Sequence, residues 1–229
     1  MKKCKRLYII LFSLFLIFLF FGYFIVYHQV QKNRLITDVS ELVQNNFLGE
    51  VKFSNYSVSG KYLQIEDSME EFFSDFYQQY QKVLSYSQDS QTKSLLSVSN
   101  YSKDGTDFVS SISFVEEQKS QYNQDMEKLL KYTKKSFIKD YIADLDISSY
   151  YKDLYNDMMF QNGIYHKLSN CRGVFLRNQE DMNQVYDVSL QVFKFLKKYA
   201  DDWKIENNEI QFSTQTLVQQ YTSLVSSIQ

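Results

Sequence analysis

Apolar and polar positions follow two regimes along the chain. From Leu7 to Tyr27 run 21 residues without a charge, interrupted only by Ser13 and Gly22. At 1.5 Å rise per residue such a helix reaches roughly 31 Å, the thickness of a bilayer's hydrocarbon core. A helix satisfies its own backbone hydrogen bonds, which lipid cannot do. Secretory signals carry a shorter apolar region of about 7–15 residues and end in small residues before a cleavage site. Here the run closes on Phe-Gly-Tyr-Phe-Ile-Val-Tyr-His-Gln, with no Ala-x-Ala-like triplet. The expectation is an uncleaved anchor spanning the membrane from Leu7 to Tyr27.

Beyond Tyr27 the pattern turns amphipathic. Val30, Leu35, Val39, Leu42 and Val43 keep helical spacing, so a stalk helix continues from the anchor over 28–48. Gly49 and Gly60 bracket EVKFSNYSVS, which reads as a loop or a short edge strand. The clearest helix follows, with Tyr62, Ile65, Met69, Phe72, Phe73, Phe76, Tyr80, Val83 and Leu84 on one face. A short segment, QTKSLLSVS, leads to a loop at NYSKDGTD. A second long helix is expected from Asp107 to about Ala143, its apolar residues in a nearly heptad array from Phe108 to Tyr141. The two would form a helical hairpin.

Shorter signals complete the chain. A third helix is expected over about Ser148 to Gln161, stopped by Asn162-Gly163. CRGVFLRN then connects to a fourth, Gln179 to Asp201, with Met182, Val185, Tyr186, Val192, Phe193 and Leu196 inward. WKIENNEIQF is the one hairpin signal, two alternating runs around Asn207-Asn208. A terminal amphipathic helix follows, capped by Ser213 or Thr214. The fold class expected is all-α: a single transmembrane helix, then an extracytoplasmic helical bundle with long, coiled-coil-like helices and one small β-hairpin near 203–212. The organisation is a basic cytoplasmic leader over 1–6, the anchor over 7–27, the stalk over 28–48 and a helical domain over 49–229.

Charge gives the direction. Lys2, Lys3, Lys5 and Arg6 precede the span, whereas Lys32 and Arg34 after it are balanced by Asp38 and Glu41. The Lys/Arg excess belongs on the cytoplasmic side, so residues 28–229 are expected outside the cell membrane. The full chain carries a net charge of −2. Without the leader's positive charges the outer part stands near −6, which argues against a nucleic-acid partner. The chain has no Pro and six Gly, with two Ala (Ala143, Ala200) and four Arg against 21 Lys. All four scarce types have GC-rich codons, so the source reads as an AT-rich bacterial genome. Aromatic residues make up 17% of the chain, enough to build a core from rings and to exclude a disordered stalk.

Candidate chemistry is sparse. Cys4 and Cys171 would lie on opposite sides of the membrane, so they cannot pair within one chain. Burial is expected for Cys171 in preference to pairing between chains, and an unmodified thiol for Cys4 in preference to palmitoylation. His28 sits at the membrane edge, and His166 reads as a surface or loop residue. NYSKDG resembles the start of a calcium loop, with Asn100, Ser102 and Asp104 at liganding positions. Position twelve, however, is Ser111 where a bidentate Glu is needed, so a turn is the expectation. The carboxylate pairs Glu66/Glu70, Asp140/Asp144 and Asp153/Asp157 are four apart and read as solvated helix faces. So does the basic run Lys128, Lys131, Lys134, Lys135 and Lys139. Phe72, Phe73, Phe76, Tyr77 and Tyr80 read as core, with Tyr77 outward. Asn55-Tyr56-Ser57 and Asn100-Tyr101-Ser102 are glycosylation acceptors only in a eukaryotic lumen.

No catalytic, cofactor-binding or metal constellation is read from the sequence. The expected function is a membrane-anchored, non-catalytic accessory or interaction protein of a bacterial envelope, with a protein partner or a second copy of itself docking on its helices. The alternative is a tethered binder of a small or polymeric ligand, with tyrosines and carboxylates lining an interhelical cleft. An enzyme ranks third.

Overall fold

The computed structural model describes residues 2–45, 48, 58–161 and 163–227, with side chains at all of these except 2–13 and 42–45. The first element, α1, is a single helix from Lys2 to Asn45. It takes in the apolar run and the predicted stalk as far as Asn45 without a break, as expected of a segment with no Pro. Its surface changes character along its length. Phe18 is 78% exposed, whereas Leu35 and Val39 are fully buried. Among the described residues α1 is the one helix long and apolar enough to cross a membrane.

The chain divides into two compact units. Unit 1 comprises Met1–Asp75 and Ile138–Tyr165; unit 2 comprises Phe76–Phe137 and His166–Gln229. The helices α2 (Lys61–Gln88) and α8 (Ile164–Lys198) each contribute to both.

In unit 1, α1 and the first half of α2 share a core with α7 (Ser149–Gln161). Leu35 and Val39 from α1, Tyr62, Ile65, Met69, Phe72 and Phe73 from α2, and Leu154, Tyr155, Met158 and Met159 from α7 are all buried. The stripe on α2 packs as its spacing predicts from Tyr62 to Phe76 and at Val83, whereas Tyr80 and Leu84 are half-exposed, as is Tyr77. The short helix α6 (Lys135–Asp140) enters this unit through buried Ile138. The segment Ala143–Ser148 is tied down by two lysines: Lys152 Nζ donates to the Ala143 carbonyl and Lys61 Nζ to the Asp146 carbonyl, at 2.6 and 3.0 Å.

In unit 2 the second half of α2 runs antiparallel to α5 (Val109–Lys131). Gln79 reaches the Asp125 carbonyl, and the Tyr86 ring lies 5.4 Å from that of Tyr122. Their connection holds two short helices, α3 (Ser90–Ser94) and α4 (Val98–Asp104). The loop expected at 100–105 is thus the body of α4. Ser97 caps it by accepting from the Asn100 N–H, and Gly105 ends it at φ 74°. Phe108 precedes α5 in the left-handed region at φ 51°, costly for a bulky residue. Its ring is fully buried, stacked 5.3 Å from Phe193 and 6.1 Å from Trp203.

Two further expectations are corrected. The helix expected from Asp107 to Ala143 stops at Lys131. The Thr133 hydroxyl donates to the Leu130 carbonyl, and the Tyr132 N–H turns to Leu129, so the last turn closes on itself. The connector CRGVFLRN is helical: α8 runs 35 residues through it. Gly173 sits in mid-helix with open space around it, Phe175 is buried, and Arg172 donates to the Thr133 hydroxyl.

The hairpin is where the alternation placed it. Strands β1 (Trp203–Glu206) and β2 (Glu209–Phe212) pair antiparallel, Trp203 opposite Phe212 and Ile205 opposite Ile210. Asn207 and Asn208 both have positive φ, 53° and 62°, the requirement of a two-residue type I′ turn that Asn tolerates. Thr214 then caps α9 (Gln215–Ser226) by accepting from the Leu217 N–H. Of the segment EVKFSNYSVS, expected as a loop or short edge strand, residues 50–57 lie outside the described residues, while Val58 is buried and Ser59 lies outside any helix or strand.

Candidate functional site

Unit 1 carries a cavity of about 560 Å³ on one face of α1, where the exposed apolar run gives way to the buried core. Phe24, Ile25, His28, Gln29 and Lys32 form its α1 wall, at the i, i+1, i+4, i+5, i+8 spacing of one helical face. Ser148, Tyr150 and Tyr151, at the start of α7, close the other side. The wall is aromatic and ordered by polar contacts. The Tyr62 hydroxyl lies 2.7 Å from His28 Nδ1 and 3.2 Å from the His28 carbonyl oxygen. The hydroxyl has a single proton, so it donates to either the carbonyl or the ring nitrogen, and the His28 tautomer sets which. Tyr150 adds a second hydroxyl at 3.4 Å from that of Tyr62, and its ring meets the His28 ring edge-on at 6.3 Å. Burial, then the Tyr150 hydroxyl, pushes the Tyr62 phenol well above its ordinary range.

One turn along α2 from Tyr62 lies Glu66, 2% exposed, and neither carboxylate oxygen accepts a hydrogen bond. A buried carboxylate in that state is costly, and the group takes up a proton instead. Burial first, then the charges of Asp38, Asp67 and Glu70, push its pKa up to about 7. Burial and its acidic neighbours thus favour the protonated form of Glu66 far above the ordinary carboxylate range. The solvated reading of the Glu66/Glu70 pair fails for Glu66 and holds for half-exposed Glu70.

Unit 2 has a carboxylate of the opposite kind. Asp125 is 3% exposed, but accepts from Tyr86 at 2.9 Å, Lys82 at 3.0 Å and Lys128 at 3.2 Å. Burial alone would raise its pKa; hydrogen bonds from Lys82, Tyr86 and Lys128 outweigh burial and hold it below the usual value. Beside this hub, Asn123 and Asn183 exchange amide hydrogen bonds at 2.8 and 3.0 Å between α5 and α8. Unit 2 also has a cavity of about 350 Å³ lined chiefly by Tyr80, Leu84, Tyr122, Met126, Met182 and Val185, with Asp181 at its edge.

The remaining sequence candidates disperse. Asn100, Ser102 and Asp104 do not form a calcium loop. The Asn100 amide donates to the Leu95 carbonyl and the Ser111 hydroxyl, and Asp104 accepts from the Ser110 and Ser111 N–H groups at the head of α5. His166 is exposed and Cys171 half-buried. Burial pushes the Cys171 thiol up, away from reactivity. Of the lysine run, Lys128 serves Asp125, while Lys135 and Lys139 belong to α6 rather than to the long helix. Cys4 and Asn55-Tyr56-Ser57 lie outside the side chains described. Glu66 and Asp125 are the residues that sequence reasoning missed. Both fall in phase with a buried stripe, Glu66 between Tyr62 and Met69, Asp125 between Tyr122 and Leu129, and that phase was the available signal.

Comparison of the chain with protein-family models, with curated proteins and with solved structures gives no match.

Proposed function

We infer that the chain is a single-pass membrane protein with a cytoplasmic amino terminus and residues 28–229 outside the cell. There it acts as a non-catalytic accessory or interaction protein of a bacterial envelope. The observation that supports this reading is α1 itself. One uninterrupted helix carries an exposed apolar surface from Leu14 to Val26 and then supplies Leu35 and Val39 to a core. A cleaved signal would not be built into the fold in this way. Helical faces of unit 2 are the docking surface, with Val109, Val174 and Leu176 the large apolar side chains left exposed on α5 and α8. Crosslinking in intact cells, followed by detergent extraction of the tagged full-length chain and mass spectrometry, tests it. A stoichiometric partner or a second copy is the expected result. Recovery of the full chain from the soluble fraction would overturn the placement, and a monomer without partners would overturn the role.

The tethered-binder reading retains one specific support. Both units have an interhelical cavity walled by tyrosines. A saturable rise in Tm of the full-length protein with an envelope component would favour it.

A further inference from the structure

The cavity on α1 changes chemistry along its length in the order that a membrane does. Phe24 and Ile25, 50% and 65% exposed, belong to the last turn of the charge-free run. Lys32 lies two turns further along the same face, and Ser148 and Tyr150 bring hydroxyls to the opposite wall. Lys32 has no ion pair among the described residues, and no carboxylate lines the cavity. The space of about 560 Å³ falls within the ~300–1,000 Å³ usual for small-molecule sites.

We propose that this cavity is a binding site for an anionic phospholipid of the leaflet in which the outer end of the apolar run of α1 lies. An acyl chain packs along Phe24 and Ile25. The phosphate accepts hydrogen bonds from the Lys32 ammonium and the hydroxyls of Ser148 and Tyr150. The Tyr62–His28 contact holds the His28 ring as a wall between the two ends. The site rests on reading α1 as the membrane anchor. A soluble anion would have no use for the apolar end, and a purely apolar guest would leave Lys32 desolvated without a counter-charge. A phospholipid satisfies both ends at once. The lysine stem can lie against the apolar wall while its charge meets the headgroup.

The test uses the full-length chain in mild detergent. Lipid binding is read by native mass spectrometry on titration with phosphatidylglycerol or phosphatidylcholine. Phosphatidylglycerol should bind at least about fivefold more tightly, from the worth of one lysine at an anionic headgroup. Lys32→Glu should abolish that preference, and Lys32→Gln and Tyr150→Phe should reduce it. Lys93→Glu, an equal change of net charge at an exposed position of α3, should leave it intact. Circular dichroism establishes that each variant is folded; if Lys32→Glu is not, the two milder variants decide. Equal binding of the two lipids overturns the proposal, as does a preference that no Lys32 variant moves. Competition by inorganic phosphate at millimolar concentration overturns the lipid assignment in favour of a free anion. Membrane fractionation of the untreated cells keeps the failures apart. A chain in the soluble fraction refutes the anchor, whereas a membrane-bound chain without headgroup preference refutes only this site.

Discussion

The Tyr86 hydroxyl donates to Asp125 Oδ2 at 2.9 Å inside unit 2, joining α2 to α5 by a contact 39 residues apart in sequence. Lys82 and Lys128 complete the cluster, but their side chains are 56% and 55% exposed and can turn to water if the carboxylate goes. Tyr86, 8% exposed, cannot. Asp125→Ala should therefore cost about 2–4 kcal/mol, below the full cost of stranding a buried charge, and Tyr86→Phe about 1–2 kcal/mol. Denaturant unfolding of the detergent-solubilised protein measures both. In a double-mutant cycle the two losses should be less than additive, since both remove the same bond.

Glu66 predicts an unusual pH dependence. Its pKa stands near 7 in the folded chain against an ordinary 4.5, so the folded state holds the proton more tightly. The contribution of Glu66 is then most favourable below pH 4.5 and is lost as pH rises through 7, by about 3 kcal/mol at most. Asp125 and Asp104 work in the other direction. Both are held below 3.8, so their contributions are present above that value and lost beneath it. Tm should thus be highest near pH 4.5–5 and decline towards pH 8. Glu66→Gln should flatten the decline and raise Tm at pH 8. A Tm that climbs from pH 5 to 8 in the native chain would contradict the raised pKa of this buried carboxyl.

Leu35 joins α1 to the core of unit 1. It is fully buried, so Leu35→Ala should cost about 2–5 kcal/mol in stability without affecting membrane insertion. Limited proteolysis of membrane preparations would read the two separately. Cleavage within residues 58–75 should accelerate while the chain stays in the membrane fraction.

Gly105 closes α4 at φ 74° and ψ −166°, a region that residues with a Cβ scarcely enter. Nothing lies within 4 Å of a Cβ placed there, so the penalty of Gly105→Ala is conformational alone. A loss of about 1–3 kcal/mol is expected, and chemical denaturation with an unchanged m-value checks it.

Sequence periodicity carried α1, α2, α7, the hairpin and α9 because each has either a long one-sided stripe or a local turn requirement. The Asn207-Asn208 turn needs no tertiary context to be recognised. The break at 132–134 was hidden for a physical reason. Helices end legibly at Gly or Pro, and this one ends at Tyr132-Thr133-Lys134 through a hydroxyl-to-carbonyl bond that any of many threonines could make. The converse error arose at Gly173, which looks like a connector yet is tolerated inside α8 at about 1 kcal/mol, with buried Phe175 close by. The cavity on α1 was not legible, since Ser148, Tyr150 and Tyr151 reach it only through the fold. Glu66 and Asp125 were in phase with the core, and the general rule that carboxylates prefer water concealed them.

An α1 that is unbroken from Lys2 to Asn45 behaves as a keyed shaft rather than a tether. Each residue of helix turns the chain by about 100° and advances it 1.5 Å, so the azimuth of Leu14–Val26 fixes the azimuth of Leu35 and Val39. The rest of unit 1 cannot swivel about the apolar segment as a domain on a flexible leash would. A rotation of the apolar segment about its own axis is carried along α1 to the side chains that pack against α2 and α7. Adding a single residue between His28 and Gln31 would misalign the two surfaces by more than a quarter turn, whereas adding seven would nearly restore them.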